Sequence, residues 1–149
     1  YGIISFDNDV VSIPNEAFKE CTTLTTIVLP NSLSTIDSSA FSRCTSLTSI
    51  TIPDSVTTIG YGAFEYCDSL TSVTIPDSVT TIGNWAFASC TSLTSVYCKA
   101  TTPPTLDGSY VFEDNAFGRK IYVPRDSVEA YKSDSKWSAY AASIVGYVF

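Results

Sequence analysis

Residues 47–69 read LTSITIPDSVTTIGYGAFEYCDS, and this stretch decides the fold. Its neighbours repeat it. Residues 24–46 read LTTIVLPNSLSTIDSSAFSRCTS, and residues 70–92 read LTSVTIPDSVTTIGNWAFASCTS. Cys21, Cys44, Cys67 and Cys90 are spaced by 23 residues, as are Phe18, Phe41, Phe64 and Phe87. Ile13, Ile36, Ile59 and Ile82 hold the same period. A fixed period of this length marks a solenoid, in which each unit stacks only on its neighbours. The chain divides into units 1–23, 24–46, 47–69 and 70–92, a degenerate fifth over 93–124, and a cap over 125–149. All of it forms one domain.

Within residues 47–69 the side chains sort by period. Leu47, Ile50 and Ile52 point inward on a short strand, and Ser49 and Thr51 point outward. Pro53 ends the strand, and Asp54-Ser55 supplies turn chemistry. Val56 and Ile59 return to the core on a second extended stretch. Ala63, Phe64 and Cys67 suit one inward-facing helical or 3₁₀ turn. No single coil buries enough to offset the entropy of ordering itself, so the coils must stack. The strand segments near 26–29, 49–52, 72–75 and 95–98 are expected to form one parallel sheet in register.

Composition excludes several functions. The net charge is −7. Residues 24–92 carry five acids against Arg43, whereas residues 93–149 balance six acids with six bases. The repeats therefore lack the basic face that a phosphate backbone needs, and nucleic acid is not an expected partner. There is no histidine, which removes the commonest general base and metal ligand. No apolar run is long enough to span a bilayer. No phosphate loop or nucleophile motif is present, and the carboxylate pairs Asp7/Asp9 and Glu113/Asp114 have no partner logic for hydrolysis. No catalytic residue, cofactor or metal site is expected. The cysteine column reads as buried, reduced thiols packing as small hydrophobes. Disulfides between adjacent coils and a zinc site are the alternatives, but a linear column does not converge on one ion. Asn31, Asp54 and Asp77 read as Asx-type turns rather than calcium ligands.

The inward positions L-x-x-I-x-I-P, followed by V-x-x-I, A-F and C, resemble the BspA-like leucine-rich repeats of bacterial surface antigens. Residues 24–92 match that pattern three times. The C-terminal stretch resembles the cap that closes many such arrays. Its marks are Thr102-Pro103-Pro104, Ala116-Phe117, Ile121-Tyr122-Val123-Pro124, Val128, Tyr131-Lys132, Trp137, Tyr140 and Ile144. The departures are a loop inserted at 107–115, the lack of a Cys after Phe117, and Cys98 in place of a strand Ile. The resemblance implies a right-handed leucine-rich-repeat solenoid of the α/β class. It also implies a secreted or cell-surface location and use in adhesion or protein binding.

The cap is also readable from its chemistry. Asp126 and Glu129 form a D-x-x-E capping box that starts a helix through Val128, Tyr131 and Lys132. A break at 133–135 precedes Trp137, Tyr140, Ala141 and Ile144 at helical spacing, and a final extended segment runs from Ile144 to Phe149. At the other end, Tyr1, Ile4 and Phe6 have no cap, so an open apolar edge or end-to-end self-association is expected there.

Function is therefore sought on the surface. The outward strand positions are Thr26 and Val28, Ser49 and Thr51, Ser72 and Thr74, Ser95 and Tyr97, with Tyr122 in the next strand. Solenoids commonly use this face, the concave one, for binding. Tyr97 and Tyr122 are its best anchors. A second candidate is the turn side, where Tyr61, Tyr66 and Trp85 break the repeat although sister coils need no aromatic there. The expected role is a non-catalytic module that binds an extracellular protein or glycan. The alternative is a spacer that displays another domain.

Overall fold

The computed structural model describes residue 4, residue 6 and residues 9–149. Each repeat forms one coil with two strand positions. The short Thr-Ile strands carry one ladder: β1 (Ser12–Ile13), β2 (Thr35–Ile36), β3 (Thr58–Ile59), β5 (Thr81–Ile82) and β7 (Thr105–Leu106). They pair in parallel and in that order, with Ile13, Ile36, Ile59 and Ile82 in one row. The longer strands carry the other: β4 (Ser72–Ile75), β6 (Ser95–Cys98), β8 (Lys120–Pro124) and β9 (Ile144–Tyr147), also parallel and in that order. The final extended segment expected after Ile144 is therefore a strand of this second sheet.

The inward positions behave as the periodicity requires. Leu47, Val56, Ile59, Ala63, Phe64 and Cys67 are fully buried, with Ile50 and Ile52 nearly so. Both flanking coils bury the same eight positions, except that Leu24 is only half-buried. The phenylalanines stack face to face, at 5.2 Å between Phe18 and Phe41, 5.2 Å between Phe41 and Phe64, and 5.3 Å between Phe64 and Phe87. That spacing lies close to the interstrand distance, so the ladder itself sets the stack. In the first coil Ala17 is exposed, and Phe18 and Cys21 are half-buried, Cys21 contrary to its expected full burial. No coil covers their outer side among the described residues. Ile4 and Phe6 lie half-buried against the core, and Tyr1 falls outside the described residues.

Three local expectations need correction. The outward sheet does not extend through all the coils. Thr51 makes a single bridge to Thr74, and residues 26–29 form no strand, although Thr48 N–H still donates to Thr25 O at 3.0 Å. Tyrosine pairs and the β8–β9 strands hold the C-terminal end. The Ser and Thr pairs upstream give each rung less cross-strand contact.

Second, the A-F-x-x-C segment is not one helical turn but two successive turns. Each carries a residue in the left-handed region: Ser39 and Arg43, Gly62 and Tyr66, Trp85 and Ser89. This geometry accounts for every N–H across residues 39–44. Ser39, Phe41 and Arg43 donate to Tyr61, Ala63 and Glu65 of the next coil, while Ala40, Ser42 and Cys44 donate locally to Asp37, Ser39 and Phe41. A helix would satisfy the same groups within the coil and leave the coils untied on this side.

Third, the Pro-Asp-Ser turns are closed by the backbone rather than by an Asx side chain. Val56 N–H donates to Pro53 O at 3.0 Å, and Val79 N–H to Pro76 O at 3.2 Å.

The fifth coil also departs from its reading. Val111-Phe112, not Ala116-Phe117, continues the A-F column: Phe87 N–H donates to Val111 O, and the Phe87 and Phe112 rings stack at 5.7 Å. Phe117 is wholly exposed. Relative to the 23-residue period the chain gains one residue before Thr105 and a second before Val111, which places the column phenylalanine at Phe112 rather than at the repeated Ala-Phe dipeptide of Phe117.

The cap closes the column with three aromatic side chains whose polar ends bond to the last coil. Tyr131 Oη donates to Ala100 O at 2.7 Å, Trp137 Nε1 to Pro104 O at 2.7 Å, and Tyr140 Oη to Ser109 O at 2.8 Å. Tyr131 lies on α1 (Val128–Ser133), and Trp137 and Tyr140 on the 3₁₀ segment Trp137–Ser143. The D-x-x-E box does not form. A 3₁₀ turn, Arg125–Ser127, precedes α1, and neither has a side-chain cap. The capping carboxylate is Asp134, whose Oδ1 accepts from Lys136 and Trp137 N–H.

Candidate functional site

Three surfaces stand out against the repetitive background. The first lies on the outward face of the longer-stranded sheet. Registry aligns Thr74, Tyr97, Tyr122 and Val145 across β4, β6, β8 and β9, and Pro124 with Tyr147. The Tyr97 and Tyr122 rings stack at 4.8 Å and 14°. Tyr147 meets both edge-on at 5.6 Å, and Phe149 meets Tyr147 at 4.9 Å. Four rings thus form one cluster at the C-terminal end of the face. The two tyrosines read from the sequence are brought together here. Tyr147 and Phe149 escaped that reading because β9, which carries Tyr147, and the residues after it lie outside the repeat. The period-two pattern Ile144/Gly146 against Val145/Tyr147 was the available signal.

The remaining outward positions continue this face toward the N-terminus without aromatics. Ser49, Thr51, Ser72 and Thr74 are exposed hydroxyl residues, as is Thr26, and Ser95 is half-buried beside Lys120. Val28 is 70% exposed and stands apart from the tyrosine cluster.

On the turn side, Tyr61, Tyr66 and Trp85 do not form a single patch. Tyr66 is covered by the Arg43 guanidinium, 4.6 Å from its ring centre. Trp85 stacks on Tyr110 at 4.7 Å, an aromatic that the repeat alignment overlooked. Tyr61 is half exposed and lines a groove of about 380 Å³ beside β2 and β3. A second depression, about 430 Å³, lies next to the Thr101–Pro104 loop, with Asp77 as its carboxylate.

The thiol column is a core feature. All five cysteines are free. Cys44, Cys67 and Cys90 each donate to a phenylalanine carbonyl of the preceding coil: Phe18 at 3.1 Å, Phe41 at 3.2 Å and Phe64 at 3.1 Å. Burial pushes the Cys44 thiol up to about 11. The adjacent Cys90 thiol, with burial, raises Cys67 further. Cys44 and Cys67 are inert, protonated thiols rather than nucleophiles. Cys98 belongs to the cap. The single hydroxyl hydrogen of Tyr131 goes to Ala100, so Cys98 Sγ donates to Tyr131 Oη at 3.2 Å. Burial raises Cys98 to about 11, and burial with Cys98 raises Tyr131.

Arg119 ties the fifth coil to the cap. Its Nη1 donates to Phe112 O at 2.8 Å, and its guanidinium lies 5.3 Å from the Tyr140 ring centre. Burial lowers its pKa, but a guanidinium stays charged there. Among the described residues no group of three or more potential metal ligands converges, and no helix is long and apolar enough to cross a membrane.

A family model for the BspA type leucine rich repeat region, in six copies, matches residues 3–132. Solved structures agree. The T. pallidum leucine rich repeat protein is 33% identical over 59% of this chain and 52% of its own length, with a TM-score of 0.53. A leucine rich cell surface protein from Faecalibacterium prausnitzii A2-165 is 27% identical over 87% of this chain, with a TM-score of 0.72. That match covers 34% of the larger protein, so the chain spans about half the length of the first relative and a third of the second. No match is found among curated proteins.

Proposed function

Because the chain belongs to the BspA-type leucine-rich-repeat family, we propose that it is a non-catalytic binding module of a secreted or cell-surface bacterial protein. Its partner is an extracellular protein, gripped by the outward face of the longer-stranded sheet at its C-terminal end. The observation that carries this reading is the cluster of Tyr97, Tyr122 and Tyr147: Tyr97 and Tyr122 stack on an outward row where the preceding coils carry Thr74 and Thr51, and Tyr147 meets both edge-on. The core needs none of these rings. Tyrosine offers a large apolar area and a hydrogen-bonding tip with little side-chain entropy to lose, which is why it recurs in interaction hot spots. The similar cell surface protein supports the location.

The test is surface plasmon resonance of the chain against a panel of extracellular-matrix proteins. Replacing both Tyr97 and Tyr122 by Ser copies residues already tolerated on that face. The double variant is expected to stay folded, with its Tm lowered only by the lost ring stack of about 0.5–1.5 kcal/mol, and to lose about 2 kcal/mol of binding, roughly 30-fold in Kd. Binding that survives the double variant but is lost in Trp85→Ser would move the surface to the turn side. A wild-type chain that binds no panel member would favour the spacer reading.

A further inference from the structure

We infer that the groove beside Tyr61 is a separate subsite for an uncharged carbohydrate. It lies on the Thr-Ile sheet, away from the strands that carry the tyrosine cluster. Its volume, about 380 Å³, is within the range of small-ligand sites. What distinguishes it from ordinary surface is the state of its polar groups.

Asn84 is held rigidly. Its Oδ1 accepts from Trp85 N–H at 3.1 Å and from Tyr110 N–H at 3.0 Å. Gly108 makes room for the side chain, since a Cβ there would overlap the Asn84 carboxamide. With Oδ1 occupied and the amide plane fixed, Nδ2 makes no hydrogen bond among the described residues and is presented as a donor. At one end of the groove the Asp37 carboxylate is fixed through Oδ2, which accepts from Ser12 Oγ at 2.7 Å, leaving Oδ1 free. At the other end Asp107 is exposed and makes no side-chain hydrogen bond among the described residues. Asp37 and Asp107 stand three coil spacings apart, about 14 Å.

The floor between them is closed to other chemistry. Gly60 and Gly83 occupy the same position as Asp37 in the intervening coils. Their N–H groups are already spent, donating to Ile36 O and Ile59 O at 2.7 Å. Neither glycine accepts a side chain. A Cβ on Gly60 would stand 2.6 Å from Ser38 N, so the groove stays open by construction. Tyr61 flanks this floor with its ring half exposed.

A short neutral oligosaccharide matches these elements. Hydroxyls of its separate rings donate to the two carboxylates at the ends, one hydroxyl oxygen accepts from Asn84 Nδ2, and the C–H face of one ring lies on the electron-rich face of Tyr61. The lining holds two carboxylates and no cation, so phosphate, sulfate and acidic sugars are repelled. The carboxylates lie too far apart to share one metal ion. A basic peptide is the competing occupant, but the fixed amide donor and the flat ring face are wasted on an ammonium group.

The test is an NMR titration of the ¹⁵N-labelled chain with mannotetraose, maltotetraose and chitotetraose. A heparin tetrasaccharide and a lysine-rich hexapeptide serve as charged controls. At least one neutral oligosaccharide is expected to shift the Asn84 carboxamide and the Gly60 amide, with no shift from heparin. Tyr61→Ser reproduces Ser38 of the preceding coil and should fold normally by circular dichroism. It should weaken the sugar by about tenfold, and Asp107→Asn should weaken it as well. The tyrosine-cluster double variant should bind the sugar unchanged, which separates this subsite from the protein-binding face. The inference is overturned if no neutral oligosaccharide shifts these signals, or if only the hexapeptide does. It is equally overturned if the sugar binds Tyr61→Ser as tightly as the parent chain.

Discussion

Truncating one ring of the phenylalanine column should cost far more in the middle than at its end. Phe64 is fully buried and stacked on both sides, at 5.2 and 5.3 Å. Phe64→Ala removes the ring, leaves a cavity between two coils and breaks two aromatic contacts. Such truncations cost about 3–5 kcal/mol, and each stacked pair adds roughly 0.5–1.5 kcal/mol beyond burial. We therefore expect a loss near the top of that range, about 5 kcal/mol. Phe18 is half-buried, with one stacked neighbour and an edge contact from Phe6 at 6.1 Å. Its truncation should cost about half as much. Because total stability is only about 5–15 kcal/mol, the central variant should also uncouple the coils on either side of it. Urea denaturation can be followed both by far-UV circular dichroism and by tryptophan fluorescence, which reports on Trp85 and the cap residue Trp137. The two probes should coincide for the parent chain and for Phe18→Ala, and separate for Phe64→Ala. Equal losses at the two positions would refute the reasoning, since a chain stabilised by neighbour coupling cannot weigh an end ring and a central ring alike.

Further outcomes follow from the same geometry. Thiol titration in native buffer should label Cys21 first, with Cys44, Cys67, Cys90 and Cys98 reacting only after denaturant is added. Stability should fall as pH rises through roughly 9–11: the unfolded thiols ionise near 9, whereas Cys44 and Cys98 stay protonated in the fold up to about 11, so the unfolded chain alone gains from deprotonation. Tyr131→Phe should lower stability by about 1–3 kcal/mol in thermal melts, because Ala100 O loses its donor and the Cys98 thiol loses its acceptor within a buried site. Ser39→Gly, at a φ of 56°, should leave stability unchanged or raise it by up to about 1 kcal/mol, while Gly60→Ala should cost about 1–3 kcal/mol by forcing coils 2 and 3 apart.

Much of this fold was legible because the repeat makes the same statement several times. One Leu, Ile or Phe at a position is a guess, but the same type at 23-residue intervals is a column. Every inward residue read from the third unit is buried. What stayed hidden were features with no periodic signature in residue type. The left-handed residues at Ser39, Gly62 and Trp85 share a backbone state but no side-chain chemistry, so two turns tied to the next coil looked like one helical turn. The fifth coil misled for a related reason. Ala116-Phe117 repeats the dipeptide of the earlier coils, yet Val111-Phe112 takes its place once two inserted residues shift the frame. Burial of a ring against the column below outweighs a match in letters.

The candidate surfaces follow the inverse logic. In a solenoid the core fixes about a third of each repeat, and the outward positions are free to drift toward small, soluble residues such as Ser and Thr. An aromatic at an outward position therefore carries information in proportion to how little the fold asks for it. Tyr97, Tyr122 and Tyr61 were visible from the sequence on that ground. Tyr147, Phe149 and Tyr110 were not, because the cap strand and the altered fifth coil supply no sister positions against which they could stand out. The structure adds contact between them. Tyr147 joins two tyrosines that the repeat places side by side, whereas Tyr66 and Trp85 are taken up by Arg43 and Tyr110. Of the aromatics that break the pattern, Tyr61 keeps a half-exposed ring beside the polar groups of its groove, and the tyrosine cluster joins several rings into one patch on the outward sheet face. An array built from nearly identical coils thus gains specificity at the places where its period fails.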